Sequence, residues 1–129
     1  MSRPAFEYLV KDALLADPEI AGIIADRMYP LVRKPHSAYP CCTYSVGSDP
    51  LVWGALGEAR MQVSCFAMIY DDVRALELRV RDVLDGMAID GDGIEISGID
   101  VDLPGLRTYE PQTGVYHHAI DCMVTYIYR

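Results

Sequence analysis

The sequence predicts an α+β domain in which a small antiparallel β-sheet carries two main helices on one face, in the order α-β-β-α-β-β. Two segments repeat apolar residues with the spacing of amphipathic helices, one beginning at Phe6 and the other at Val73. Two further segments, Arg60–Ala67 and Val115–Tyr128, alternate apolar and polar residues as half-buried strands do. Interspersed helices and strands of this kind pack as layers around one core.

The first helix is predicted from an apolar stripe at positions i, i+3, i+4, i+7 and i+8. Asp17, followed by Pro18, is typical of an N-cap with proline at the first helical position, which opens a second, short helix. Met28–Pro30 ends this helical region, and Arg33–Pro40 is an irregular connector. The stripe consists of Phe6, Leu9, Val10, Ala13 and Leu14.

Two strands are predicted in the middle of the chain. Cys41–Val46 is rich in β-forming residues, and Arg60–Ala67 alternates clearly between two faces. The intervening segment, Gly47–Ala59, contains several glycines and is too long for a tight hairpin, so it is predicted to be a loop.

The second long helix follows. Asp71 is its predicted N-cap, and Gly86 is predicted to end it in the left-handed conformation. Glu77 and Arg81 have the i,i+4 spacing of an ion pair and are expected on the outer, solvated face. The predicted inward stripe is Val73, Leu76, Val80, Val83 and Leu84.

The C-terminal third is predicted to complete the sheet. Short strands are expected at Ile94–Ile96 and Ile99–Leu103, and Arg107–Tyr109 leads into a turn at Glu110–Gly114, where proline and glycine preset the backbone. Val115–Tyr128 is the last and longest predicted strand.

Length and cysteine usage limit the class of protein. The 129 residues allow one core, so a single domain over residues 1–129 is predicted. The N-terminal segment lacks the apolar stretch of a secretory signal, which makes a cytoplasm the expected compartment. The four cysteines are therefore expected to be buried, reduced thiols: Cys41, Cys42, Cys65 and Cys122.

The acidic charge is concentrated in one part of the chain. A formal net charge of −8 argues against a nucleic-acid reader, which needs Lys and Arg to neutralise phosphates. Residues 85–110 hold seven acidic side chains and one basic one, Arg107. They form either a solvated rim or a surface that meets a basic partner or repels passing DNA. The acids are Asp85, Asp90, Asp92, Glu95, Asp100, Asp102 and Glu110.

The last strand contains two adjacent histidines, a pair that could suggest a metal site. Neighbouring side chains in a strand point to opposite faces of the sheet, which contradicts that interpretation. His117 and His118 point to opposite faces. Cys122 shares the face of His118, but four residues of strand separate the two by ~13 Å, too far for one zinc ion.

Asp90–Gly93 resembles the start of a calcium loop, yet the later ligands of that motif are missing. We expect no catalytic, cofactor or metal site, and His118 is predicted to lie at a sheet edge.

The segment Gly47–Ala59 carries apolar side chains where the chain is predicted to leave the sheet. Burying a few of them offsets only part of the ~1–2 kcal/mol per residue that ordering the backbone costs. One possibility is that these apolar side chains become ordered against a neighbouring subunit. The alternative is that Trp53 covers the core of its own domain. The residues concerned are Leu51, Val52, Trp53 and Leu56.

Four stretches carry a resemblance to a known family. They are ALLADPEIAGIIADRMYP (Ala13–Pro30), AYPCCTYS (Ala38–Ser45), RMQVSCFAMIYDDVRALELRVRDVLDG (Arg60–Gly86) and TYEPQTGVYHHAIDCMVTY (Thr108–Tyr126). In order and spacing, the chain resembles the small tail completion, or tail terminator, proteins of long-tailed bacteriophages and gene transfer particles. The departure is the cysteine pair at 41 and 42, where an apolar pair is expected.

The resemblance implies a structural virion protein without enzymatic activity or cofactor, assembled in the host bacterial cytoplasm. Such proteins form a ring, typically six-fold, on the tail tube. The ring ends tube polymerisation, presents a surface to the head connector or stopper protein, and lets DNA pass without sequence-specific binding. Arg33 and Lys34, with the apolar side chains of Gly47–Ala59, are the candidate contacts with neighbouring subunits or the tube. Asp100, Asp102 and Glu110 are candidates for facing the lumen or a basic partner.

Two other functions fit the sequence. One is a different neck component, such as a connector or stopper. The other is a small-molecule-binding or enzymatic α+β domain, which would be recognised by a compact polar pocket with strongly perturbed carboxylates or histidines.

Overall fold

A computed structural model describes residues 5–33, 38–49, 51–53, 55–102 and 105–129, with the backbone alone for residues 51–53. Three helices and eight strands form in these residues. The helices are α1 (Phe6–Ala16), α2 (Pro18–Ile24) and α3 (Tyr70–Leu84). The strands are β1 (Met28–Pro30), β2 (Cys41–Ser48), β3 (Leu51–Trp53), β4 (Leu56–Ala67), β5 (Ile89–Asp90), β6 (Ile94–Val101), β7 (Leu106–Glu110) and β8 (Val115–Tyr128).

The strands form one sheet with the order β1-β2-β4-β8-β6-β5, to which β3 adds beside β4 and β7 beside β8. β1 runs parallel to β2, and the other pairs are antiparallel. The predicted α+β class is confirmed. The sheet is antiparallel except for the pair β1–β2. The predicted small size and the order α-β-β-α-β-β are wrong, because the described residues contain eight strands and three helices.

β8 lies in the middle of the sheet. One of its edges pairs with β4 along its length, from Leu56 opposite Ile127 to Ala67 opposite Tyr116. The other edge pairs with β6 along its C-terminal half and with β7 along its N-terminal half. The predicted bounds of this strand are confirmed. The short strands predicted at Ile94–Ile96 and Ile99–Leu103 join in one strand, β6, which ends at Val101 and has a register shift between Ile96 and Gly98. Leu103 lies outside the described residues.

The segment Gly47–Ala59 is not the loop that its glycines suggested. β2 continues through an irregularity between Val46 and Ser48, and Leu51 of β3 then pairs with Gly57 of β4. Glycine in a strand often marks such a bulge. Gly57 also makes room for a neighbour, because a Cβ there would stand 2.3 Å from Cζ of Tyr126.

The helices cover one face of the sheet. The helix-facing residues of β4 and β8 join α1 and α3 in one apolar cluster, in which the rings of Phe6 and Tyr126 stack with centroids 4.9 Å apart. Ile120, Cys122 and Val124 are fully buried there, as predicted. None of the described helices has the length and apolar character that a membrane crossing requires.

The ends of the helices agree in part with prediction. Asp17 caps α2 by accepting the Ile20 N–H at 3.1 Å, and two N–H groups of Arg79 on α3 bind the same carboxylate at 2.6 and 3.0 Å. Gly86 has the expected positive φ of 77°. The predicted cap at Asp71 is wrong, because α3 starts at Tyr70 and Ile69 occupies the N-cap position without a side-chain hydrogen bond.

All four cysteines are free and buried, as predicted. Cys42 lies in the apolar core with its Sγ 3.9 Å from Sγ of Cys65 on the adjacent strand. Burial raises the pKa of Cys41 to about 11 and that of Cys122 to about 12. Both thiols are therefore neutral at physiological pH.

Candidate functional site

A buried ion cluster forms around Glu77 on the inner face of α3. The Glu77 side chain is 0% exposed, and its carboxylate accepts hydrogen bonds from two residues of its own helix, Arg74 at 2.9 Å and Arg81 at 3.2 Å. Arg107 of β7 donates to both carboxylate oxygens, at 2.9 Å from Nη2 and 3.1 Å from Nε. Nδ1 of His118 on β8 lies 2.9 Å from Oε1. The cluster thus ties α3 to two strands.

The position of Glu77 contradicts the sequence-based expectation. Glu77 and Arg81 form the predicted i,i+4 ion pair, but the carboxylate is in the core and not on the outer face. A signal was present in the sequence, because Glu77 stands four residues after Val73 and three before Val80, on the apolar stripe itself. A carboxylate placed there needs buried cationic partners, and the arginines one turn away on either side supply two of them.

Electrostatics keep Glu77 ionised despite its burial. Burial by itself raises the pKa of this carboxyl. The hydrogen bonds from Arg107, His118, Arg74 and Arg81 act in the opposite direction, and together they lower the pKa from 4.5 to about 2.

The two adjacent histidines point to opposite faces of the sheet, as predicted. His118 is buried against Glu77, with the Tyr70 ring edge-on at 6.0 Å between centroids. His117 stacks on Phe66 at 4.5 Å, and burial followed by the charge of His118 lowers its pKa. The prediction that His118 lies at a sheet edge is wrong, because β8 is central. Within the described residues, no three His, Cys, Asp or Glu side chains are grouped so that they could hold a metal ion.

At the protein surface next to the ion cluster, several aromatic and aliphatic side chains are exposed to solvent. The Tyr116 ring lies 5.5 Å from that of Tyr70 and 4.6 Å from that of Tyr109. A Cβ on Gly114 would stand 3.6 Å from Cε of Met68 and 3.9 Å from Oη of Tyr109, which places those two side chains together. We call this surface the tyrosine–arginine patch. It comprises Met68, Ile69, Tyr70, Arg74, Arg107, Tyr109 and Tyr116.

The predicted contact residues fall at several places. Lys34 and the side chains of Leu51, Val52 and Trp53 lie outside the described part of the structure. Arg33 is half-buried with its guanidinium 4.7 Å from the centroid of the Tyr39 ring, and Leu56 is half-buried at the start of β4.

The predicted acidic residues are not brought together. Asp100 is exposed on β6, and Asp102, just after it, forms an ion pair with Arg60. Glu110 ends β7 and accepts the Gln112 N–H at 3.0 Å. Asp100 lies opposite Met123 and Glu110 opposite Val115, eight residues apart on β8, which is about 26 Å.

The sheet face opposite the helices is polar along its centre. Gln62 on β4 donates to Asp121 on β8 at 3.0 Å, and Ser64 donates to the Gln62 side chain at 3.4 Å. The Arg60–Asp102 ion pair continues this row towards β6. Asp100 lies on the same face, because it is opposite Met123 in the register.

No protein-family model matches the chain, and no curated protein sequence matches it. Among solved structures, the fold is similar to that of a chain in "Virion of native gene transfer agent (GTA) particle". The two have a TM-score of 0.71 at 15% sequence identity, over 92% of this chain and 91% of the other. The two chains share one fold.

Proposed function

We propose that this chain is a structural virion protein that forms a ring on the end of a tail tube. The ring ends tube polymerisation and provides the head-tail joining surface. One observation carries the proposal: nearly the whole chain has the fold of a chain from a gene transfer agent virion. The four stretches that resemble tail terminator proteins point in the same direction. We accordingly treat residues 1–129 as a single tail-terminator-like domain without enzymatic activity.

The ring is a homo-oligomer, six-fold by the family resemblance, with a tail tube protein on one side and a connector or stopper protein on the other. Arg33, Lys34 and the β3–β4 hairpin, which carries Leu51, Val52, Trp53 and Leu56, are the proposed contacts with neighbouring copies or the tube. The backbone pairing of Leu51 with Gly57 and of Trp53 with Leu56 supports this role, because it anchors the segment to the sheet.

The polar, helix-free face of the sheet is proposed to face the lumen, together with Asp100, Asp102 and Glu110. Carboxylates on such a wall repel the phosphate backbone and let DNA pass without binding. Replacing the three by Asn, Asn and Gln is expected to leave ring formation intact and to slow DNA delivery by the particle. Unchanged delivery would show that these acids do not line the path of DNA.

Electron microscopy of the purified protein, alone and mixed with tail tubes, tests the proposed function. We expect rings with a central opening, and capped tubes that no longer lengthen when tube protein is added. A protein that remains monomeric in both samples, with tubes that keep growing, would refute the proposal.

The alternative function is that of a different neck component, such as a connector or stopper. The similar chain comes from the structure of a virion, and a virion holds structural proteins at several positions. Cross-linking in assembled particles separates the two functions. A tail terminator cross-links to the tube protein, whereas a stopper between other neck proteins does not.

A further inference from the structure

Strand β7 has a backbone edge that is open to solvent. All five of its residues are exposed, and within the part of the chain that the structure describes its backbone hydrogen bonds go to β8 and to the turn that joins the two strands. Successive residues of a strand direct their N–H and C=O groups to opposite edges. At least two of the five residues therefore point both groups away from β8.

This edge lacks the features by which proteins protect open strands. β7 contains neither proline nor lysine, and its register with β8 runs without a bulge from Leu106 to Glu110. Its one cationic side chain, Arg107, is bound to the buried Glu77. An edge strand without such protection readily pairs with a strand of another chain.

Large apolar side chains are exposed on both sides of the edge. Most of those that are exposed in the described residues lie on β7, on α3 or in the link before α3. On the helix side they belong to the tyrosine–arginine patch, and Leu78 continues the face of α3 that carries Tyr70 and Arg74. Leu106 lies on the other side, because it alternates with Arg107, whose guanidinium reaches α3. Concentrated apolar surface of this kind marks a protein interface.

A strand that covers this edge must itself have an open edge of similar length. β1 does not, because Pro30 lacks an N–H and its C=O already accepts the Val32 N–H at 2.7 Å. β3 has three residues and β5 has two. β7 itself has five, and two copies of one strand can satisfy each other across a two-fold axis.

We propose that β7 pairs antiparallel with β7 of a second copy of this chain, about a two-fold axis at Thr108. The pairing continues the sheet of one copy into the sheet of the other. Leu106 then lies opposite Glu110 of the second copy, and Arg107 lies opposite Tyr109. This inference goes beyond the proposed ring and does not depend on it.

Charge and backbone chemistry select this register. Opposite residues of an antiparallel pair share a face, so the axis passes through a residue. At Arg107 it would place two arginines opposite each other, and at Tyr109 it would place Pro111, which lacks an N–H, opposite Arg107. At Thr108 all five residues pair. Two threonines then meet on the axis, and each Arg107 faces an aromatic ring.

The two-fold contact differs from the contacts that close a ring. Copies within a ring meet head-to-tail and face the same way, whereas this axis relates copies that face opposite ways. β7 pairing therefore joins free copies into dimers, and it joins two rings face to face where rings have formed.

Thr108→Cys tests the two-fold axis directly. All four native cysteines are buried, so the introduced thiol is the one exposed to oxidant. Opposite Cα atoms in an antiparallel pair are about 4.5–5.5 Å apart, which a disulfide spans. We expect mild oxidation to convert most of the protein into a disulfide-linked dimer on non-reducing electrophoresis.

Thr113→Cys is the matched control for this cross-link. Thr113 is exposed in the turn after β7, away from its own mate across the axis. It should give at most about a tenth of the dimer that Thr108→Cys gives, because its two thiols lie beyond the reach of a disulfide. Equal cross-linking of the two variants would overturn the proposed pairing.

Leu106→Cys and Glu110→Cys test the register. In either variant alone, the two introduced thiols lie four residues apart along the paired strands, which is about 13 Å, so neither should cross-link. An equal mixture should cross-link, because these positions lie opposite each other. A mixture that yields no linked dimer would overturn the pairing.

Thr108→Asp tests the contact without an oxidant. It places two carboxylates opposite each other on the axis, so the dissociation constant of the dimer, measured by sedimentation velocity, should rise at least about tenfold. Thr113→Asp adds the same charge to the same hairpin and should stay within about twofold of wild type. Thr108→Lys should dissociate like Thr108→Asp. An equal mixture of the aspartate and lysine variants should restore the dimer, which shows that both are folded.

The outcomes separate this inference from the proposed function. Thr108→Asp should leave ring formation intact, and electron microscopy should show single rings in place of paired ones. If Thr108→Asp abolishes the rings, the β7 edge belongs to the ring contact and the two-fold pairing is wrong. If the wild type forms cross-linkable dimers but no ring on any tube, the pairing stands and the ring is refuted. If the wild type stays monomeric and Thr108→Cys does not cross-link, the pairing is refuted whether or not tubes are capped.

Discussion

Two parts of β8, residues 115–119 and 120–128, which we call its charged and apolar halves, face the same helices and are stabilised in different ways. The apolar half contributes Ile120, Cys122, Val124 and Tyr126 to an apolar core. The charged half contributes His118, which contacts a buried carboxylate and, through it, three arginines. The apolar half is closed off from solvent, whereas the charged half opens onto an exposed patch. One strand therefore combines a region that secures the fold with a region whose charges can be offered to another molecule.

Glu77→Ala should have the largest effect on this comparison. Removing the carboxylate leaves Arg81 and His118 buried without their partner, and the loss of one member of a buried ion pair typically costs about 3–5 kcal/mol. We expect the free energy of unfolding from chemical denaturation to fall by that amount. A loss below about 1 kcal/mol would show that the ion cluster contributes little to the fold.

Ile120→Ala probes the apolar half of the same strand. The side chain is fully buried among other apolar residues, so its truncation should cost about 2–4 kcal/mol through lost burial and the cavity that remains. Ile120→Val is the control and should cost about 1 kcal/mol. Unlike Glu77→Ala, neither substitution should alter the dependence of stability on pH.

Low pH should remove the stability that the charged half supplies and leave that of the apolar half unchanged. The pKa of Glu77 is about 2 in the folded chain and near its ordinary value of 4.5 in the unfolded chain. Between these values the unfolded state binds more protons, so the stability from Glu77 is present above about pH 4.5 and is lost as the pH falls towards 2. Equilibrium unfolding at several pH values should show a shallower slope in this window for Glu77→Gln than for wild type. Parallel curves for the two proteins would contradict the lowered pKa.

Arg74→Gln should have the smallest effect. Arg74 is 37% exposed, and Glu77 retains the hydrogen bonds of Arg81, Arg107 and His118 after the substitution. We expect a loss of about 1 kcal/mol or less in the free energy of unfolding. A loss as large as that of Glu77→Ala would mean that the arginines act as an inseparable unit.

Local patterns predicted the long elements well. Alternation defined β8 from Val115 to Tyr128, and the cap at Asp17 marked the start of α2, because both signals are contained within a few residues. β1 was missed because a strand of three residues, paired in parallel, shows no periodicity. Gly47–Ala59 was predicted to be a loop because glycine is common both in loops and at strand irregularities.

The ion cluster depended on contacts that local patterns do not contain. Arg107 and His118 are 30 and 41 residues from Glu77 along the chain, and only the sheet register brings them to it. The sequence suggested a solvated Glu77 because an i,i+4 pair with Arg81 is common on exposed helix faces. Its place on the apolar stripe was the overlooked signal.

The central position of β8 has a consequence for synthesis. β4, β6 and β7 all precede β8 in the chain, so each is translated before the strand that joins them. Until β8 leaves the ribosome, the edges of β4 and β6 that it will cover remain open to pairing with other chains. Nascent copies that meet in that interval can pair through these open edges, and slower translation of the segment before β8 would lengthen the interval.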